Sequence, residues 1–284
     1  MRFPVTPLTL AKYREAFTPS RAKDDPPAAA LQVELLRTHP DQLTPLTPQS
    51  PTMRALAQLV EHRRRVVGDT GRLTHRLTRA LKNSFLHVLQ WFPDKDTVLF
   101  CDVLSRWPTL TAAQLARRTT LEACFRAHHV RAAEVMDSRI QAIKSALALT
   151  TDDGVITPNV LLVHALIAPR RVTLQAIADF DTAIAQCAQT HPDFPLFDAL
   201  PGAGAVFAPR LLVAFGEQRE RYASAEELQK YAGSAQVTER SGKKSWVHWC
   251  LQCPKFLRQT FVEWAAESIR HSFWAQVYYQ QQRD

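Results

Sequence analysis

In residues 54–89, RALAQLVEHRRRVVGDTGRLTHRLTRALKNSFLHVL, apolar side chains return every seven positions at Leu59, Val66, Leu73 and Ala80. Leu77, Leu81 and Val88 fall beside them at helical spacing, so one face of a helix is apolar. The length of the run suits a helical hairpin or coiled coil better than a short globular helix. Gly68 is its weak point, and a bend is expected there. Arg65, Arg72, Arg76 and Arg79 form a second stripe, because successive helical residues turn by about 100°. Four arginines in line can follow a phosphate backbone, each displacing counterions. The plainer reading is a solvated face or ion pairs along the helix.

The chain on either side is read from this helix outward. Upstream, residues 2–5 fit a short strand and residues 8–17 a short helix. A polar loop follows over 18–25, and then a helix opened by Pro26 and continued over 28–37. One strand and two helices bury little surface alone, so this part reads as the tail of an α/β domain. Pro40, Pro45, Pro48 and Pro51, with the polar run 47–52, mark a linker. Downstream, short helices are expected over 112–118 and 121–129 and an amphipathic one over 130–149. Residues 159–189 form another long helical segment, interrupted at Pro169, with Leu174, Ile177, Phe180 and Ile184 as its seam. It can pack back on the first long helix. The fold class is therefore mainly α. The expected parts are a remnant of an α/β domain over 1–50, a long helical coiled-coil region over 51–195, and a C-terminal helical domain over 196–284.

Composition narrows the partners. With 46% hydrophobic and 22% charged residues, the 284-residue chain has the balance of a cored protein. Lysine and arginine outnumber the acids 35 to 27, a formal charge of +8, which favours polyanions such as DNA or RNA. The five cysteines are odd in number and irregular in spacing, as in reduced thiols rather than a disulfide framework. The first residues lack the pattern of a signal peptide. The longest apolar stretch, near 160–168, is short for a bilayer and holds His164. A cytoplasmic protein with no membrane partner is expected.

The chemistry-bearing residues gather after position 200. Leu200-Pro201-Gly202-Ala203-Gly204, followed by the apolar run 206–215 and Gly216, has the form of a helix-hairpin-helix. Gly202 and Gly204 allow a tight turn and leave backbone N–H groups at a helix N-terminus open to a phosphate. Ser224 with Glu227 fits a capping box that opens a helix. Beyond it, Ser241 sits among Arg240, Lys243 and Lys244 in a polar loop containing Gly242. A serine there can attack a phosphodiester while the three cations stabilise charge on the phosphoryl oxygens. It needs a base or metal for activation, and no such partner is evident nearby. Cys250-x-x-Cys253 lacks the second pair that a structural zinc site needs, so these thiols read as core or half-buried. Trp246, Trp249, Trp264, Phe273 and Trp274 likewise read as core rather than as a base-stacking platform.

Taken together, 200–216, Tyr231-Ala232-Gly233 and Arg240-Ser241-Gly242-Lys243 resemble, in order and spacing, the C-terminal domain of insertion-sequence transposases of the Piv/MooV type. Ala11-Lys12-Tyr13-Arg14 and Ala22-Lys23-Asp24-Asp25-Pro26 resemble the last segment of that family's RuvC-like DEDD domain. Leu35-Leu36-Arg37-Thr38-His39 and the basic helix after it fit the same pattern. The resemblance implies DNA strand cleavage and rejoining in transposition. It implies Mg²⁺ held by four acids, a serine that joins covalently to DNA, and a coiled coil that assembles a homo-oligomer. In some members a structured guide RNA chooses the DNA partners. Ser241 matches the nucleophile position and Asp25 the third acid, as an incomplete metal site. The fourth acid is replaced by Ala28, and the family's first two acids lie on strands that would precede Met1. Ser234-Ala235-Gln236 also departs from the family's apolar residue and proline. One carboxylate does not replace four. The expectation is a shortened transposase that does not hold the metal or act alone. The alternative is a non-catalytic helix-hairpin-helix protein that binds nucleic acid.

Overall fold

In the computed structural model, residues 3–17, 24–43, 45–250 and 253–283 are described. Among them the chain is mainly helical, with one antiparallel two-stranded sheet. It divides into two compact units, Met1–Ser50 and Pro51–Asp284.

The first unit holds α1 (Pro7–Phe17) and α2 (Asp25–Thr38), which pack on each other. Thr6 opens α1 by accepting from the Thr9 N–H at 3.2 Å. Asp24 opens α2: its carboxylate accepts from the Asp25 N–H at 2.9 Å, and prolines fill the first turn. The short strand expected at the start is absent among residues 3–6, which form no ladder. An extended segment without a neighbour leaves its backbone groups to water. Residues 18–23 of the expected polar loop lie outside the described residues. A 3₁₀ turn over Pro40–Gln42 begins the proline-rich connection.

The second unit is built on two long helices. The first, α3 (Pro51–Ser84), has 34 residues. Four short helices follow, α4 (His87–Trp91), α5 (Val98–Arg106), α6 (Leu110–Leu115) and α7 (Arg118–Ala127), and then α8 (Ala133–Ser145). The chain returns along α9 (Asp153–Gln189), 37 residues long. At about 1.5 Å per residue each long helix spans roughly 50 Å. They lie side by side and antiparallel, because the ends pair in two separate cores. At the far end, Leu77, Leu81, Phe85, Phe100, Leu104, Phe125 and Ile143 pack with Val163, Leu166 and Ile167. At the near end, Met53, Leu56 and Val60 pack with Ile184, Ala188 and the C-terminal residues Phe197, Leu211 and Leu212.

The helical hairpin was legible, and so was part of its apolar face: Leu77, Ala80, Leu81 and Val88 are buried as expected, while the N-terminal part of α3 turns a shifted stripe inward. The buried stripe of α3 runs through Met53, Leu56, Val60, Thr70, Leu77 and Leu81, whereas Leu59, Val66 and Leu73 are only half-buried. The shift has a chemical cause: polar groups occupy stripe positions. Arg63 pairs with Asp181 of α9 through both guanidinium arms. Thr70 and Thr74 turn their hydroxyls back to the Val66 and Thr70 carbonyls. No bend occurs at Gly68, and α9 runs on through both Pro158 and Pro169.

Arg170 of α9 is fully buried. Its guanidinium donates to the Thr74 hydroxyl and the Lys95 carbonyl and pairs with Asp96 at 2.7 Å, while its Nε has no partner among the described residues. One side chain thus ties α9 to α3 and to the loop before α5. The expected upper limit on apolar length does not hold for α9, which by length and composition alone is long and apolar enough to cross a membrane. One face of it packs along α3, and its buried Arg170 is paired within the protein.

Candidate nucleic-acid interface

After α9, the chain makes α10 (Phe194–Asp198), a turn, and α11 (Gly204–Phe215), which stops at Gly216. Gly202 and Gly204 both have positive φ, 71° and 49°. Their surroundings differ. A Cβ on Gly202 would lie 3.1 Å from the backbone of Glu267 and Ser268, so this glycine permits a close approach of the turn to the next long helix. Nothing stands within 4 Å of a Cβ at Gly204, and Gly204, Ala205 and Val206 are exposed. The free N–H groups of the α11 first turn therefore face outward at Gly204, not at Gly202. Beside them is a cavity of about 220 Å³ lined by Arg63, Arg64, Arg210, Asp181 and Glu263. Arg210 is buried, pairs with Glu263 at 2.7 Å, and leaves its second terminal nitrogen without a partner.

The helix α12 (Ala225–Ala232) is capped as expected: the Ser224 hydroxyl accepts from the Glu227 N–H at 3.3 Å. The Glu227 carboxylate returns to the N–H of Ala223 at 2.8 Å, one residue before the usual partner. Gly233 ends the helix in the left-handed conformation, and a Cβ there would overlap the sulfur of Cys253. Cys250 and Cys253 are half-buried free thiols.

Ser241 does not lie in an irregular loop. It is the last residue of β1 (Gln236–Ser241), which pairs with β2 (Lys244–Trp249) in an antiparallel hairpin. The C-terminal part, expected to be helical, also holds this hairpin, where the sequence suggests only a loop. The signal was present: Val237, Thr238, Trp246, Val247 and Trp249 are strand-forming residues flanking the two-residue turn Gly242-Lys243. Gly242 has φ 58° while Lys243 does not enter positive φ, which is the glycine-first pattern of a II′ turn.

Register decides what shares a face. Ser241 stands opposite Lys244, Glu239 opposite Trp246, and Val237 opposite His248. These six form one face, since alternate residues of a strand point the same way. Arg240, Thr238, Gln236, Ser245, Val247 and Trp249 form the other. Ser241, Arg240, Lys243 and Lys244 are all exposed at the tip. Ser241 makes no side-chain hydrogen bond among the described residues. His248, two ladder positions away, is too distant along the strands to serve it as a base. Both imidazole nitrogens of His248 meet acceptors: Nδ1 the Trp249 carbonyl at 3.0 Å, Nε2 the Glu239 carboxylate at 2.9 Å. Only the imidazolium can donate to both, so its pKa is raised, first by the backbone contact and then by Glu239.

The chain closes with α13 (Lys255–His271) and α14 (Phe273–Arg283). The expected aromatic core is largely at the surface. Trp246 is 45% exposed, Trp249 53%, Phe273 81% and Trp274 73%. Trp264 alone of this set packs inward, donating to the Pro201 carbonyl at 3.0 Å. Trp249 is covered by the Arg258 guanidinium at 5.7 Å, and Trp274 stacks on Tyr278.

The other expected site residues lie elsewhere. Arg65, Arg72, Arg76 and Arg79 are exposed along α3. Arg65 pairs with Glu61 and Arg72 with Asp69, while Arg76 and Arg79 have no ion pair among the described residues. Glu61 also binds Arg64, whose hydrogen bond is the first cause of its lowered pKa. Asp25 is exposed at the start of α2. Among the described residues no three His, Cys, Asp or Glu side chains converge on one point. Asp24 is committed to its cap, and Ala28 stands one turn after Asp25. The residues present do not fit a divalent-metal site by themselves.

Comparison with known proteins supplies the context for this geometry. Residues 195–280 match the pattern of the Transposase IS116/IS110/IS902 family, and residues 2–86 match the DEDD transposase domain of the IS110 type. Ser241 falls inside the first match and Asp25 inside the second. The chain is also similar to a protein of Streptomyces coelicolor that carries the name of mini-circle transposase for IS117. The two are 26% identical over 290 residues, covering 99% of this chain and 69% of that protein. The chain is thus similar to transposases in two separate segments, 2–86 and 195–280.

Proposed function

We propose that the chain acts on DNA in transposition, as an insertion-sequence transposase of the Piv/MooV type in which Ser241 is the residue joined to a DNA strand. One observation carries the reading. The hairpin lifts the Ser241 hydroxyl to an exposed tip, beside three exposed cations and away from any competing hydrogen bond. In the proposed step the Ser241 Oγ–phosphorus bond forms and one phosphorus–oxygen bond of the strand breaks. The hydroxyl proton leaves to a base from outside the hairpin, and the departing strand oxygen takes up a proton. Arg240, Lys243 and Lys244 offset charge on the phosphoryl oxygens.

The remaining residues extend this surface. Gly204 and the α11 first turn offer backbone N–H groups to a second phosphate, with Gly202 shaping the turn as in a helix-hairpin-helix. Arg76 and Arg79 provide free cations along α3, and Arg65 and Arg72 join them when a phosphate competes with their acids. Parts 1–50, 51–195 and 196–284 would divide the work among Asp25, assembly and the serine. Leu161, Leu162 and Val172 leave apolar surface on α9, which supports homo-oligomer formation through the coiled coil. Free thiols suit a reducing cytoplasm. A structured guide RNA is a further polyanion that this basic chain could hold.

A second reading has its own support. Asp25 stands alone, and Ser241 has no base among the described residues, so this chain by itself would grip nucleic acid without cutting it. Mixing it with a relative that supplies the four acids and Mg²⁺, on insertion-element DNA, separates the two. A covalent DNA adduct on this chain, lost in Ser241→Ala, is expected. An adduct that persists in Ser241→Ala contradicts the assignment, and binding without any adduct favours the non-catalytic protein.

A further inference from the structure

We infer that Trp246 is a positioning residue on which one unpaired base of the DNA strand stacks, next to the phosphate that reaches Ser241. The inference rests on the hairpin being the DNA-facing element.

Its geometry comes from the ladder. Ser241 and Lys244 form the last pair of the hairpin, and Trp246 belongs to the next pair on the same face. Two residues along a strand are about 7 Å apart. That is of the order of one nucleotide's reach in an extended strand. A phosphate at the Ser241–Lys244 end therefore puts a neighbouring base over Trp246. The indole is open to receive it. It is 45% exposed and makes no ring or cation contact among the described residues. The other indole of the hairpin, Trp249, belongs to the opposite face, away from Ser241 and Lys244, and has the Arg258 guanidinium 5.7 Å from its ring.

Charge selects the occupant. Arg240, Lys243 and Lys244 crowd the tip, against Glu239, which is bound to His248. An exposed indole on the same face as Lys244, at a tip rich in cations, is the arrangement that takes a nucleic-acid strand, the cations tracking phosphates and the ring stacking on a base. A stacked base gives register to a strand whose phosphates alone would slide. Such a platform needs an unpaired base, as at a frayed or melted element end.

The test uses the full chain and a single-stranded oligodeoxynucleotide carrying 2-aminopurine, whose fluorescence falls on stacking with an indole. Binding by the unaltered chain should quench the probe. Trp246→Ala should abolish the quench and weaken binding about tenfold, Trp246→Phe should retain most of the affinity, and Trp249→Ala should change little. Circular dichroism and melting of Trp246→Ala should match the parent, because the side chain is exposed. Ser241→Ala should still quench, which keeps this inference separable from the role of the serine. An unchanged quench in Trp246→Ala would overturn it, as would an equal loss of affinity for fully paired blunt duplex.

Discussion

At the scale of single residues, three positions decide whether a substitution reports on folding or on DNA. Arg170 is fully buried and serves three acceptors on two other elements. Arg170→Met keeps the length but removes the donor to the Lys95 carbonyl and the partner of Asp96, while the Thr74 hydroxyl keeps the Thr70 carbonyl. A loss of about 2–3 kcal/mol is expected in urea unfolding, since a buried group left unpaired costs roughly 1–3 kcal/mol; unchanged stability would mean that the tie is not formed. Gly202 and Gly204 look equivalent in sequence and are not. Gly202→Ala brings a Cβ against the α13 backbone at positive φ, so it should lower the melting temperature. Gly204→Ala meets open space and should be milder in melting while weakening DNA contact at the first turn of α11. Equal melting of the two variants would contradict this division. The sequence alone showed two glycines suited to a turn. Which of them faces a helix depends on α13, some 60 residues away, and no local pattern carries that.

At the scale of elements, periodicity found the long helices and the buried face around Leu77, Ala80, Leu81 and Val88, but not the phase of the rest of α3. There the seam was placed on Leu59, Val66 and Leu73 because leucine and valine carry the apolar signal. The buried stripe includes Thr70 and is flanked by the half-buried Arg63 and Thr74, whose polar groups are satisfied by α9 or by their own helix. Proline was read as a break at Pro169, yet α9 passes through it, since packing on α3 outweighs one missing hydrogen bond. The β-hairpin was missed although Gly242-Lys243 is a legible turn, because a short serine-glycine-lysine run was read by its chemistry before its flanks. A two-stranded hairpin is marginal by itself, and the His248 bridge is one of its few cross-strand ties. With the His248 pKa raised above its ordinary 6.5, this tie is complete below about pH 6.5 and is lost as pH rises through the raised value. The His248 ring resonances should titrate above the ordinary histidine range, and Glu239→Gln should bring them down. Titration at or below that range would remove the tie from the account. The Asp102 carboxylate in α5 gives the opposite sign. Burial pushes its pKa up, but hydrogen bonds from Arg171 and His128 prevail and hold it low. Its contribution is present above the ordinary carboxylate range and fades as pH falls through the lowered value, so the far end of the α3–α9 hairpin should loosen first in acid. Hydrogen exchange that is uniform along α3 at low pH would contradict this.

At the scale of the whole molecule, the charge of +8 pointed to a polyanion from the outset, and the structure distributes exposed cations over α3 and the hairpin tip. The resemblance that joined Asp25 to Ser241 covers both units, and it was legible because motif order survives where helix phase does not. The acids that would complete the metal site were not legible as a site, because Asp24 serves a helix cap and Ala28 has no ligand to offer. The hairpin tip is the centre of the functional account, and a salt series with duplex DNA tests it most directly. Affinity of the unaltered chain should fall steeply with salt. The triple variant Arg240→Ala, Lys243→Ala, Lys244→Ala should bind more weakly, with a slope shallower by about 2–3, near 0.9 for each phosphate contact removed. Absence of binding at low salt, or a slope unchanged by the triple substitution, would contradict the claim that the Ser241 hairpin is where this protein meets DNA.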